Sequence, residues 1–282
     1  MADAVVHQYQ LLHADPGLRI TFQPGKGRAL VVNFMTFGSH QRGWDIPDVG
    51  MPDQLSEAAQ HNVLHIKDMT GGYYTHPGQI RTIVDTLSAL QKDHRFEKLV
   101  SFGNSMGGYG AILFNRWVPF DATVAGTPVV DLGPLTRRID PRGDRILWNV
   151  HDQAEGTSIL GTAAACKRLY MFYPLSTPDL AHAALFPQSD TVHHFAFPAG
   201  PHAIFVPMLK KFGVGALIRR VLADDPAAVA RLVAQYGGFD RSQGADEDVI
   251  ADLAEAPELP QLSINETPAE MAEIRERTGS AA

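Results

Sequence analysis

The chain has 282 residues, of which 45% are hydrophobic and 20% charged. Such a chain can bury a sizeable core, and the composition excludes collagen-like, disulfide-scaffold and wholly disordered proteins. The net charge is −7 and no run is rich in Lys and Arg, which argues against a partner that is a nucleic acid.

One cysteine, Cys166, excludes an internal disulfide and fits a reducing compartment. The N-terminal segment carries Asp3 where a secretory signal has a basic residue. No stretch reaches the roughly 18 apolar residues of a membrane span. We therefore expect a cytoplasmic protein without a membrane span.

Short apolar runs alternate with helix-like segments along the chain. Predicted strands lie at residues 11–12, 18–22, 29–34, 61–66, 98–102, 121–126, 168–173 and 191–197. Predicted helices lie at residues 51–60, 77–92, 107–117, 178–186, 204–212 and 216–236. Repeated strand–helix units after two leading strands predict an α/β fold, a mostly parallel, doubly wound sheet of about eight strands with an antiparallel start.

Two segments depart from this alternation. Residues 131–166 have no clear period and hold several Pro and Gly residues, which predicts an irregular excursion or a small cap. From residue 237 the chain is acidic and poor in aromatic residues, which predicts a mobile tail with no part in the core. The expected organisation is one domain over residues 1–236 and a C-terminal tail over residues 237–282.

The motif that carries chemistry is G-x-S-x-G, in the sequence Gly103-Asn104-Ser105-Met106-Gly107. A predicted strand ends at its first glycine and a predicted helix follows its serine. Such a turn is very tight, and glycines remove the Cβ atoms that would clash in it. The context predicts a nucleophile elbow that exposes the Ser105 hydroxyl. The alternative is a turn that only packs, or that binds a phosphate at the helix N-terminus.

A serine nucleophile needs a base and an acid. His202 follows the last predicted strand, at the carboxyl edge of the sheet where the elbow also lies. The chain order Ser, Asp, His places the acid after the preceding strand, which indicates Asp179. Asp131 is the rival for the acid. His182 is expected on a helix surface.

The oxyanion of an acyl-transfer reaction needs two backbone N–H groups. One is expected from Met106, at the start of the helix after the serine. The other is expected from Met35 or Thr36, in the loop after the strand at 29–34. Substrate binding is expected from three aromatic residues of loops, Tyr73, Tyr74 and Trp44.

With these motifs, residues 8–236 resemble the α/β-hydrolases that use a serine nucleophile. The resemblance implies an eight-stranded, mostly parallel sheet and a triad that attacks esters or related acyl groups without a cofactor or a metal. Carried over by position, Ser105 is the nucleophile, His202 the base and Asp179 the acid.

The chain departs from the family at two places. Asn33-Phe34-Met35 stands where many members carry His-Gly, and Asn104 stands where His is common in the elbow. Three functions follow as hypotheses: a hydrolase of carboxylic esters or thioesters, an acyltransferase to a sugar or polymer, and a binding protein that no longer catalyses. The expected partner is a small-molecule or glycan-linked acyl substrate.

Overall fold

In the computed structural model, the described residues are 9–36, 55, 60–154, 157–175, 178–209 and 213–241. They form a sheet with helices on both faces. Its strands are β1 (Gln10–Ala14), β2 (Leu18–Gln23), β3 (Ala29–Phe34), β4 (Asn62–Asp68), β5 (Lys98–Asn104), β6 (Ala122–Gly126), β7 (Leu169–Pro174), β8 (Val192–Phe197) and β9 (Phe239–Asp240). The α-helices are α1 (Gln79–His94), α2 (Met106–Leu113), α3 (Pro134–Ile139), α4 (Gly143–Leu147), α5 (Leu160–Ala164), α6 (Asp179–Ala183), α7 (Val206–Leu209), α8 (Gly213–Leu222) and α9 (Pro226–Gln235).

The strand order within the sheet is β1-β2-β4-β3-β5-β6-β7-β8-β9. The six strands from β4 to β8 in this order run parallel. At the edges, β1 pairs with β2, β2 with β4 and β9 with β8 in antiparallel fashion. The predicted fold class, a mostly parallel sheet with an antiparallel start, is confirmed, and the described residues contain one strand more than predicted.

The additional strand, β9, comes from the segment that the sequence assigns to a tail without a part in the core. Gly237 has a φ of 81°, which lets the chain reverse after α9. Phe239 then pairs with Ala196, and Asp240 with Phe195. Phe239 also packs against the core. A two-residue strand carries no recognisable alternation, so the sequence pattern could not predict it. Residues 242–282 of the expected tail lie outside the described residues.

Alternate residues of the central strands face opposite sides of the sheet. Leu30 and Val32 of β3 join one buried cluster, whereas Val31 joins the other together with Val100 of β5. Helices α8 and α9 pack over this second cluster. Because both faces are covered, these strands appear in the sequence as continuous apolar runs.

Between β6 and β7 the chain makes the excursion that the sequence predicts at residues 131–166. It contains the three short helices α3, α4 and α5. Leu132, Leu147 and Ile159 are buried in the first core cluster, so the excursion packs on the sheet. That it acts as a cap stays a prediction. None of the helices in the described ranges combines the length and the apolar character that crossing a membrane requires.

The strand order decides where a site can form. From β3 the chain crosses to β4, its neighbour on one side in the sheet. From β5 it crosses to β6, on the opposite side. The loops after the neighbouring strands β3 and β5 therefore run in opposite directions. Phe34 is in register with Gly103, the residue two before Ser105. The loop after β3 therefore lies beside the elbow, at the carboxyl edge where open α/β sheets bind their ligands.

Candidate active site

Ser105 lies between the end of β5 and the first residue of α2. Its backbone has a φ of 54° and a ψ of −120°, a conformation that residues with a side chain rarely adopt. Its N–H donates to the carbonyl of Gly126 at 2.7 Å. A Cβ atom at Gly103 would clash with the carbonyl of Gly107, and one at Gly107 with the carbonyl of Phe34. These two glycines are therefore required for the tight turn at the serine.

His202 lies in the loop after β8. Thr127 Oγ1 donates to the His202 carbonyl at 2.9 Å and holds this loop against the one after β6. The ring nitrogen Nε2 is 2.8 Å from Ser105 Oγ, and Nδ1 is 2.9 Å from Asp179 Oδ1. Because an ionised carboxylate only accepts hydrogen bonds, the ring proton belongs on Nδ1 and Nε2 accepts from the serine hydroxyl.

The carboxylate on the imidazole belongs to Asp179, the first residue of α6, which is 5% exposed. Burial by itself raises the pKa of this carboxyl, but the hydrogen bond from His202 and the charge of Arg142 outweigh it, so the pKa of Asp179 lies below its ordinary value. The rival, Asp131, accepts at 2.8 Å from the N–H of Thr136 in α3. The structure thus places Asp179 on the histidine, whereas Asp131 bonds to the backbone of α3.

The N–H groups predicted for the oxyanion have different surroundings. Met106 is the first residue of α2, so its N–H has no carbonyl partner within that helix. The N–H of Met35 donates to the carbonyl of Ile66 at 3.0 Å, because pairing between β3 and β4 continues one residue beyond the strand. The prediction of Met35 as an oxyanion donor is therefore wrong, because its N–H is already used in the sheet. Thr36, the next residue, stays a prediction.

Several solved structures superpose on the chain, among them those of an esterase, a peptidase and a protein complex. Esterase Pf2001 from Pyrococcus furiosus has a TM-score of 0.52 and 16% identity, and the match covers 76% of this chain and 93% of the esterase. Acylaminoacyl peptidase from Pyrococcus horikoshii has a TM-score of 0.50 and 11% identity, with 78% and 41% covered. A chain of the Glycosylation Associate Protein (Gap123) complex from Streptococcus agalactiae has a TM-score of 0.54 and 16% identity, with 77% and 47% covered. No family model and no curated protein matches the sequence.

This chain has the α/β-hydrolase fold. The resemblance inferred from the elbow is thereby confirmed for the architecture. In this α/β-hydrolase fold, Ser105 directly follows β5, Asp179 begins the helix after β7, and His202 lies in the loop after β8.

The aromatic residues predicted to bind substrate have other surroundings. Tyr74 is fully buried, and its hydroxyl donates to the carbonyl of Met35. Tyr73 is 3% exposed and packs edge-on against Tyr109, with the ring centroids 5.4 Å apart. This corrects the expectation for both tyrosines: their large rings gain more from burial under the loops than from a position at the rim. Trp44 lies outside the described residues.

Tyr74→Phe is expected to lower the free energy of unfolding by about 1–3 kcal/mol, because the buried carbonyl of Met35 loses its donor. It is also expected to lower kcat of the ester hydrolysis proposed below, because that carbonyl precedes Thr36, a predicted oxyanion donor. The matched control is Tyr109→Phe, whose hydroxyl donates to the carbonyl of Thr157 at 2.9 Å. Urea unfolding and ester kinetics measure both effects, and an equal loss of kcat in the two variants would contradict a role for the Tyr74 hydroxyl in the loop.

Three further residues lie beside Asp179, and the sequence predicts none of them for the site. Arg142 Nη2 donates to Asp179 Oδ1 at 3.0 Å and to Asp140 Oδ2 at 2.9 Å. His182 Nε2 is 3.1 Å from the same Asp140 oxygen, and His182 is 2% exposed instead of on a helix surface. The spacing of three between Asp179 and His182 could have shown that both lie on one helix face. Arg142 gives no comparable signal, since it is 37 residues from Asp179.

Proposed function

We propose that the protein is a serine hydrolase that cleaves a carboxylic ester or a thioester through an acyl-enzyme. The observation that carries the proposal is the pair of hydrogen bonds that link Asp179 to His202 at 2.9 Å and His202 to Ser105 at 2.8 Å. The backbone conformation of Ser105 supports it as well, since strain of this kind occurs at functional residues. The esterase and the peptidase with the same fold support hydrolysis in general.

In the proposed reaction, Ser105 Oγ attacks the acyl carbonyl while His202 Nε2 takes the hydroxyl proton. The oxyanion that forms accepts hydrogen bonds from the N–H groups of Met106 and Thr36. His202 then returns the proton to the leaving alcohol or thiol as its bond to the acyl carbon breaks. Water attacks the acyl-enzyme with the same base, which releases the acid and restores the serine.

Asp179 has a separate part in this reaction. Its carboxylate accepts from His202 Nδ1, which keeps Nε2 free of a proton and aimed at Ser105. Because its pKa is lowered, the carboxyl of Asp179 stays ionised at neutral pH and stabilises the imidazolium that forms during attack.

A fluorophosphonate probe tests the proposal directly. Intact mass is expected to show one adduct on the wild-type protein and none on Ser105→Ala or His202→Ala, because the reaction needs the serine and its base. The matched control is His13→Ala. His13 also bonds to an aspartate, Asp15, at 2.8 Å, but it lies on β1 and not at the elbow. An adduct retained in His202→Ala, or none on folded wild-type protein, would contradict the proposal, and the second result would favour a binding protein.

Acyl transfer uses the same groups with a sugar or polymer hydroxyl in place of water. The complex named for glycosylation among the proteins with this fold makes sugars the acceptors to test. Product analysis after reaction with an activated ester and added sugar separates the two outcomes: free acid alone supports hydrolysis, and acylated sugar supports transfer.

A further inference from the structure

Two Asp–His pairs lie side by side in the site and share one arginine. His202 Nδ1 is 2.9 Å from Asp179 in the first pair, and His182 Nε2 is 3.1 Å from Asp140 in the second. Arg142 Nη2 donates to both carboxylates, at 3.0 Å and 2.9 Å. The proposed reaction requires only the first pair, so the second pair and the arginine call for a role of their own.

We propose that Arg142, held by Asp140 and His182, is a positioning residue that fixes the carboxylate of Asp179 on His202. This inference rests on the proposed function of the site. It assigns the excursion between β6 and β7 a part in catalysis, because two of the three residues come from that excursion.

Arg142 is fixed by the carboxylate of Asp140, which is fully buried. Arg142 Nε donates to Asp140 Oδ1 at 3.0 Å, and Nη2 donates to Oδ2 at 2.9 Å. The backbone N–H of Arg142 donates to the same Oδ1 at 2.8 Å. Two hydrogen bonds from different nitrogens fix the plane of the guanidinium, so the second hydrogen of Nη2 points toward Asp179.

Asp140 is fixed in turn by His182. The backbone N–H of Val130 donates to His182 Nδ1 at 3.3 Å, so this nitrogen must be the acceptor. The ring proton therefore belongs on Nε2, which donates to Asp140 Oδ2. His182 lies on α6 together with Asp179, so the excursion is tied to this short helix at two points.

The charges favour positioning over the binding of an anionic substrate. Asp140 and Asp179 contribute two negative charges and Arg142 one positive charge, so the cluster has a net charge of −1 and does not attract an anion. The titratable groups around Arg142 and its two carboxylate partners include Asp140, Asp179, Tyr73, His182 and His202. Burial raises the pKa of Tyr73, so this hydroxyl stays neutral.

Arg142→Met is expected to lower kcat about 10-fold with KM changed less than about twofold, as for other residues that orient a catalytic group. The matched control is Arg116→Met. Arg116 donates to Thr162 Oγ1 at 2.8 Å and to the carbonyl of Ser158 at 2.5 Å, and both acceptors lie in the same excursion.

Arg142→Lys separates the contribution of the positive charge from that of the planar fork. It keeps the charge but lacks the fork, so we expect kcat to remain lowered. Should Arg142→Met fail to fold by circular dichroism, the lysine variant decides, and a wild-type kcat in it would overturn positioning by the fork.

The ring of His202 gives a readout that needs no turnover. The proton NMR resonance of His202 Nδ1–H, which bonds to Asp179 at 2.9 Å, is expected to move upfield or to broaden in Arg142→Met, because the accepting carboxylate is held less well. An unchanged resonance together with kcat within about twofold of the wild type, or equal changes in Arg116→Met, would overturn the inference. A failure of the proposed function is distinct, because it appears as the absence of the fluorophosphonate adduct on the wild-type protein, whatever the spectrum shows.

Discussion

Ser105→Ala is expected to lower kcat for ester hydrolysis by about 10⁶-fold, because the proposed covalent route through an acyl-enzyme is lost. The fold should remain intact, since alanine has the same backbone requirements as serine in the turn and Gly103 and Gly107 are unchanged. The measurement is turnover of a chromogenic ester, with the unfolding transition recorded beside it.

Ser88→Ala is the matched control for this loss. Ser88 Oγ donates to the carbonyl of Val84 on α1, remote in the chain from the elbow. We expect this variant to keep wild-type turnover. Comparable turnover by Ser105→Ala and the wild type would show that another group performs the attack, and would leave the elbow with a packing role.

Asp179→Asn is expected to lower kcat about 10⁴-fold, the size of effect that follows when the partner of a catalytic histidine can no longer select the tautomer. An amide can donate to Nδ1, which would place the ring proton on Nε2. In that tautomer Nε2 faces Ser105 Oγ with a hydrogen and cannot take its proton.

Asp131→Asn distinguishes the two aspartates considered for the acid. Asp131 accepts from the N–H of Thr136, and an asparagine oxygen can accept the same bond. We therefore expect kcat of this variant to stay near the wild-type value. Steady-state kinetics of both variants decide between them: a large loss in Asp131→Asn with a small one in Asp179→Asn would reverse the assignment.

The two large effects have different causes, and the fluorophosphonate probe separates them. Ser105→Ala lacks the atom that the probe modifies, so no adduct forms at any time. Asp179→Asn keeps both the serine and the imidazole, so slow labelling is expected. Complete absence of labelling in Asp179→Asn would indicate a collapsed site instead of a misdirected tautomer.

Much of the fold follows from local patterns in the sequence. The strand at β3 is a continuous apolar run because both faces of the sheet are covered there, and the order of strands and helices then predicts a parallel, doubly wound sheet. The elbow is equally local. The residues that make it possible, Gly103 and Gly107, are within two positions of Ser105, so the steric requirement is visible in the motif itself.

The order of strands and loops along the chain also allows His202 and Asp179 to be predicted near the elbow. Loops that follow parallel strands emerge at one edge of the sheet, so chain order alone places these residues near the elbow. It does not choose between Asp179 and Asp131, which also follows a central strand. The paths of two loops distinguish them in the structure: the carboxylate of Asp179 lies on His202, and that of Asp131 accepts from the N–H of Thr136.

Only the tertiary structure decided which groups surround Asp179 and His202. Asp140 is 42 residues from His182, and Arg142 is 37 from Asp179, so no period or motif joins them. The pairing of the Met35 N–H with Ile66 likewise depends on how far two strands remain in register. The sequence determines what is imposed by neighbours along the chain, namely the strands, the helices and the strained turn at the serine. Hydrogen bonds between distant loops depend on packing in three dimensions, and packing leaves no repeating pattern in the sequence.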